Sequence, residues 1–319
     1  MIETRELKKS FKSRKDVVEA VRGVNLQVRE GEIFGFLGPN GAGKTTTLRM
    51  LTTLLEPTSG EAIVAGCDLR REPRKVRCRI GCVSQVGGVD RHATGRENLV
   101  LQAQLYGLST REAKNRTEVL LKSFELDGFA DRIASTYSGG QKRRLDLALG
   151  LVHQPPLIFL DEPTTGLDPQ SRARLWDEVR RFRDQGTTVF LTTHYLEEAD
   201  ELCDRVAIID NGQIVAEGTP DELKRRVAGD VVTVGLATHN GAVHQAEQLL
   251  KEQHFVRELE PEGDGALRLY VDRGEVALPQ ILRTLDGAGL GLAAISLARP
   301  SLDDVFLRQT GRSLRDSDA

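Results

Sequence analysis

Cysteine and aromatic residues are scarce in this chain: 4 Cys and 5% Phe, Trp and Tyr in 319 residues. Cys67, Cys78, Cys82 and Cys203 lack the paired spacing of a zinc site, and Cys78-x3-Cys82 falls in an apolar, strand-like segment. Buried, reduced thiols and a reducing compartment are expected. An excess of either charge is missing too. With 44 basic against 47 acidic residues the formal net charge is −3, which exerts no global pull on nucleic acid phosphates or anionic lipid. Nucleic acid is therefore not expected as a partner. Long hydrophobic runs are also lacking: Leu157 to Leu160 and the stretch around Leu147 to Val152 fall far short of the ~18 apolar residues that span a bilayer. The opening stretch Met1 to Leu7 mixes both charges and has no apolar signal core, so no export is expected. If the work is at a membrane, another chain supplies the spans. What is present is an ordinary globular composition, 39% hydrophobic and 29% charged, with length for about two domains.

Two β-rich runs flank a polar turn at Ser13 to Asp16, and Gly31 opens a third run through Leu37. Gly43 to Leu55 reads as helix, closed by Pro57 and Gly60; strand-like Glu61 to Ala65 and Ile80 to Ser84 follow. From about 95 to 152 the chain turns almost wholly helical, with Leu99, Leu105, Leu120, Leu121 and Phe124 assigned to one face. This reads as a helical subdomain inserted in an α/β core with parallel strands, whose rhythm resumes at Leu157, at Ser171 to Asp184 and at Thr188. Asn211-Gly212 marks a two-residue hairpin turn. The expected organisation is a first domain over 1–225, a smaller α+β domain over 230–310 with the order βαββαβ of a ferredoxin-like fold, and a tail over 311–319.

The segment Gly38-Pro39-Asn40-Gly41-Ala42-Gly43-Lys44-Thr45 matches G-x-x-x-x-G-K-[ST] between a strand and a helix, the context this phosphate-binding motif requires. Its glycines let backbone N–H groups approach phosphate oxygens, and the helix behind adds its N-terminal dipole. Lys44 would neutralise β- and γ-phosphate charge, Thr45 would ligate Mg²⁺, and Thr46 belongs to the same cradle. Farther along, an apolar strand ends in Asp161-Glu162. Beside a phosphate loop, Asp161 would hold Mg²⁺ and Glu162 would polarise the attacking water.

With Tyr137-Ser138-Gly139-Gly140-Gln141 the chain resembles the ATP-binding cassette (ABC) family, whose signature sequence these residues match. The resemblance implies further roles over roughly residues 1–225: Gln85 as the Q-loop glutamine and a metal ligand, Gly166-Leu167-Asp168 as the D-loop, His194 as the switch histidine, and Phe11 as the adenine-stacking aromatic. It also implies an ATP-sandwich homodimer, in which Ser138, Gly139, Gly140 and Gln141 close over the nucleotide held by the opposite copy. Ser138 to Gly140 open a predicted helix, which suits an anion site. Tyr137 departs from the family's usual leucine; an aromatic can fill the same apolar socket. Lys142-Arg143-Arg144 reads as a solvated helix start, with a phosphate contact as the alternative.

The same signature segment, Gly166 to Arg172, and the stretch Arg299 to Leu307 are similar to daunorubicin-resistance-type export ATPases. That similarity implies a peripheral protein on the cytoplasmic face of the cell membrane, powering efflux of a drug, lipid or natural product through a separate ABC-2-type permease. The competing expectation is a soluble ABC ATPase acting on ribosomes or DNA, but one cassette and no sustained heptads speak against it.

Overall fold

The computed structural model describes residues 1–12, 17–227, 229–237, 242–262, 265–298 and 301–311. The expected turn at Ser13 to Asp16, Arg299-Pro300 and positions 312–319 of the tail lie outside the described residues.

Two compact units divide at Glu217/Gly218. In the first, β1 (Ile2–Lys12) pairs with β2 (Val17–Val28), and β3 (Ile33–Leu37) runs through the phosphate loop into α1 (Lys44–Leu51). Next come β4 (Ser59–Val64), β5 (Cys67–Asp68), α2 (Pro73–Arg79) and β6 (Ile80–Val83). The helical insertion holds α3 (Gly95–Leu105), α4 (Thr110–Ser123) and α5 (Gly139–Gly150). The α/β core resumes with β7 (Leu157–Asp161), α6 (Pro169–Asp184), β8 (Thr188–Thr193), α7 (Leu196–Leu202), β9 (Arg205–Asp210) and β10 (Gln213–Gly218).

Strands β2-β1-β4-β5 form an antiparallel sheet, and β10-β9-β3-β8-β7-β6 form the central one, in which β9, β3, β8, β7 and β6 run parallel. Parallel strands covered on both faces need continuous apolar runs, and every residue of β3, β7 and β8 is buried. Phe190 organises this core, its ring centroid 5.9 Å from Phe34, 5.7 Å from Phe36 and 5.4 Å from Phe159. The β9–β10 turn places Asn211 and Gly212 at φ 46° and 78°, both in the left-handed region such a hairpin requires.

Two details differ from expectation. Residues 73–79 are helical because Pro73 supplies a helix start, so Cys78 sits on a helix, and both Cys78 and Cys82 are exposed; Cys67 and Cys203 are buried. Leu105 is exposed at the end of α3 while Leu99 is buried, since six positions amount to about 1.7 helical turns and point to another face.

In the second unit, α8 (Pro220–Val227) precedes β11 (Asp230–Leu236), α9 (Ala242–Lys251), β12 (Val256–Glu262), β13 (Ala266–Val271), α10 (Gly274–Gly287) and β14 (Leu292–Ala298). The sheet order β12-β13-β11-β14, with every neighbour antiparallel, is that of a ferredoxin-like split βαβ. A final helix, α11 (Leu302–Thr310), starts at a capping box made by Ser301 and Asp304 and packs with α8.

Candidate active site

The carboxyl ends of β3, β7 and β8 meet at one edge of the central sheet, where α/β proteins place their ligands. The loop after β3 depends on glycine at defined points. Gly43 caps α1 at φ 106°, and a Cβ there would stand 2.5 Å from Ala20 O. A Cβ on Gly38 would collide with Ile209 O. Asn40 and Gly41 form the loop's exposed tip, and Pro39 O accepts from Ala42 N at 3.2 Å. Lys44 is 4% exposed; its Nζ donates to Gly38 O at 2.7 Å and Pro39 O at 3.0 Å and lies 3.4 Å from Glu162 Oε1. Thr45 and Thr46 follow on α1, half-buried.

Asp161 ends β7 opposite Thr192 of β8. Its Oδ1 accepts from Thr192 Oγ1 at 2.6 Å and from Thr45 Oγ1 at 3.2 Å. Glu162 sits at φ 44°, a left-handed conformation that costs a side-chain-bearing residue ~1–2 kcal/mol. Its N–H, donating to Thr192 O at 3.1 Å and to Thr192 Oγ1 at 3.0 Å, holds it there. The strained turn aims the carboxylate into a ring of polar groups. Gln85 Nε2 and Thr165 Oγ1 each donate to Oε2 at 3.3 Å, and His194 Nδ1 lies 3.3 Å from the same oxygen. The His194 contact, reinforced by Lys44 and opposed by burial, keeps the Glu162 carboxyl below its ordinary range, so it stays ionised and able to accept a proton.

The fold thus gathers Lys44, Thr45, Gln85, Asp161, Glu162 and His194 in one cluster. Ser138, Gly139, Gly140 and Gln141 form another group, at the start of α5. Ser138 Oγ accepts from Gln141 N at 3.2 Å, and Gln141 Oε1 accepts from Ser138 N at 2.9 Å, a reciprocal cap. Asp168 caps α6 through Ser171, whose N–H and hydroxyl donate to it at 2.9 and 2.6 Å; this contact holds its carboxyl below the ordinary range. A cavity of about 260 Å³ between the two helix starts is lined by Ser138, Gly140, Gln141, Leu167 and Ser171. Tyr137 fills its socket: it is buried, donates to Phe129 O at 2.6 Å, and leaves room only for glycine at Gly95. Phe11 is 43% exposed on β1, with Lys9 Nζ 5.3 Å from its ring centroid.

Two residues that sequence reasoning missed also touch this cluster. Thr192 was legible only as part of an apolar strand. Arg143, expected in a solvated helix start, is instead buried, with its guanidinium among main-chain carbonyls near Asp161.

Comparison with known proteins decides the family. The ABC transporter family model matches residues 21–165, and the model of the ATP-binding protein DrrA1-3-like C-terminal domain matches 218–310. The chain is 46% identical over 300 residues to the daunorubicin/doxorubicin resistance ATP-binding protein of Streptomyces peucetius, covering 93% of this chain and 89% of that protein.

The chain belongs to the ABC transporter family.

Other relatives of this ABC protein are a linearmycin resistance ATP-binding protein of Bacillus subtilis, 35% identical over 99% of this chain and 100% of its own length, and a Nod factor export ATP-binding protein of Burkholderia thailandensis, 40% identical over 93% of each. Among solved structures, a dimeric ABC cassette in a post-hydrolysis state with ADP and Pi matches with a TM-score of 0.63 at 29% identity, covering 69% of this chain and 98% of that one. The ABC cassette here therefore binds nucleotide and hydrolyses ATP. Among the described residues no helix is long and apolar enough to cross a membrane.

Proposed function

We propose that this subunit sits at the cytoplasmic face of the cell membrane and powers export through a separate ABC-2-type permease, with two copies hydrolysing two ATP molecules between them. The carrying observation is the convergence on one carboxylate: Gln85, Thr165 and His194 meet Glu162 Oε2, and Lys44 meets Oε1. In that ring Glu162 takes the proton of the water that attacks the γ-phosphate as ADP leaves, His194 orients the carboxylate and the γ-phosphate, and Gln85 places the water. Lys44 exchanges its loop carbonyls for β- and γ-phosphate oxygens, to which the N–H groups of residues 40–46 also donate. Phe11 stacks on the adenine. Ser138, Gly139, Gly140 and Gln141 of the opposite copy close over the γ-phosphate, and Asp168 lines the same junction.

The donor set suits Mg²⁺. Thr45 and Asp161 already share a hydrogen bond, Gln85 adds an amide oxygen, and all are hard oxygen ligands. No group of three His, Cys, Asp or Glu residues is placed for a metal among the described residues; this fits an ion that takes few protein ligands and completes its shell with phosphates and water. When bound, the ion supplies charge neutralisation between the β- and γ-phosphates.

The relatives named above are resistance or export subunits, which favours a drug, lipid or natural product as cargo. The first domain, about 1–225, carries catalysis, and the domain over about 230–310 tunes self-association or permease pairing. Reconstitution in proteoliposomes with a candidate ABC-2-type permease tests the proposal. ATP-dependent movement of an anthracycline or other amphiphile, lost in Lys44→Ala, is expected. Failure to associate with any membrane protein, together with salt-dependent RNA or DNA binding, would contradict it.

A further inference from the structure

α5 is capped by Ser138 and carries buried polar side chains at Arg143 and Asp146, positions that a helix facing an apolar core would normally give to aliphatics. Both residues reach across to the Gln85 loop. Arg143 Nη1 donates to Ser84 O at 2.9 Å, and Asp146 Oδ1 accepts from Gly88 N at 2.7 Å, so the loop is held on both sides of Gln85. The fit on the Asp146 side is tight: Gly87 has φ 80°, and a Cβ there would lie 2.6 Å from Asp146 Oδ2. The same guanidinium also straddles Glu162, with Nε donating to Pro163 O at 2.8 Å and Nη2 facing Asp161 O at 3.4 Å. A planar fork with five N–H donors can span three carbonyls on two loops, whereas a lysine ammonium is a single point.

We propose that Arg143 and Asp146 are positioning residues that lock the Gln85 loop and the Glu162 turn to the helix presenting Ser138-Gly139-Gly140. Their contacts then set the spacing between the glutamine and the catalytic carboxylate. Neither residue touches nucleotide. Burial lowers the Arg143 guanidinium and raises the Asp146 carboxyl; the Asp146 charge opposes the first shift, and the Gly88 N–H and the Arg143 charge oppose the second.

This inference rests on the roles proposed for Gln85 and Glu162, and the experiment separates the two. Steady-state ATP hydrolysis and thermal midpoints are measured for Arg143→Lys, Asp146→Asn, Gln85→Ala and the double variant Arg143→Lys/Gln85→Ala. Misplacement of a reacting group by ~1 Å costs about 10²-fold, so Arg143→Lys is expected to lower kcat by about 10–100-fold with KM for ATP within about twofold. Asp146→Asn should move kcat in the same direction, and it carries the test if Arg143→Lys fails to fold. In the Gln85→Ala background Arg143→Lys should cost at least about threefold less than it does alone, because only the part of its action that runs through the Glu162 turn remains. Wild-type kcat in Arg143→Lys, an equal loss with and without Gln85, or a raised KM at unchanged kcat would each overturn the clamp. Glu162→Gln, assayed beside them, tests the underlying roles: normal turnover there would refute the assignment of the base and not the clamp.

Discussion

Replacing Thr192 by valine probes the junction between β7 and β8 with little change in shape. The hydroxyl donates to Asp161 Oδ1 at 2.6 Å and accepts from Glu162 N at 3.0 Å, so a single oxygen fixes the Asp161 carboxylate and the Glu162 backbone. Valine is close to isosteric and Thr192 is fully buried, so no water replaces what is lost. A hydrogen bond to a charged group contributes ~1.5–3 kcal/mol, and Glu162 N keeps only Thr192 O as acceptor. A net loss of ~2 kcal/mol is expected, which lowers the midpoint of a unit this size by ~4–8 °C. Asp161 would lose its fixed rotamer at the same time. The Mg²⁺ concentration for half-maximal hydrolysis should rise about tenfold, the equivalent of ~1.4 kcal/mol, and kcat should fall. Calorimetry and a Mg²⁺ titration of ATPase activity measure both, and Thr192→Ser should retain the wild-type Mg²⁺ response. A valine variant matching wild type in midpoint and Mg²⁺ response, or a serine variant as damaged as valine, would refute the reasoning.

Other substitutions test separate parts of the account. Burial raises the carboxyl of Glu198, whose Oε1 accepts from Trp176 Nε1 at 3.1 Å. The folded state therefore keeps this proton to higher pH than the unfolded chain does, and stability falls as pH rises above the ordinary carboxylate range. Glu198→Gln keeps an acceptor for Trp176 and should flatten that fall; midpoints at pH 5 and pH 8 that differ as much as in wild type would contradict it. Gly43→Ala, which brings a Cβ within 2.5 Å of Ala20 O at φ 106°, should abolish nucleotide binding in a fluorescent-ATP titration; retained affinity would contradict the close approach. Phe11→Ala should raise KM for ATP about tenfold at unchanged kcat, since a stacking contact made equally in ground and transition states affects only binding. An unchanged KM would mark Phe11 as a bystander.

Much of the site was legible because its signals are local. The phosphate loop lies on consecutive residues between a strand and a helix, and Asp161-Glu162 closes an apolar run, so both follow from patterns of a few positions. Ser138 stands at the start of a helix as expected, and the structure adds its cap with Gln141, three residues on. Thr192 and Arg143 were not legible. Their partners come from strand register and from loops 18 to 59 positions distant, as in Asp161 opposite Thr192 and Arg143 beside Ser84. A buried arginine gives no local sign of burial when flanked by Lys142 and Arg144. In the fold, the βαββαβ order was read from strand and helix periods, whereas α2 and α11 were missed because helices of 7 and 9 residues show too few turns for a period to emerge.

The account turns on one γ-phosphate being held from two sides, by the Lys44 loop of one copy and the Ser138 turn of the other. Glu162→Gln protein with Mg²⁺ and ATP, measured by light scattering against the nucleotide-free sample, tests this most directly. A dimer that forms with ATP, persists without turnover and dissociates when ADP replaces ATP is the expected result. A monomer at every ATP concentration, even with the permease present, would contradict it.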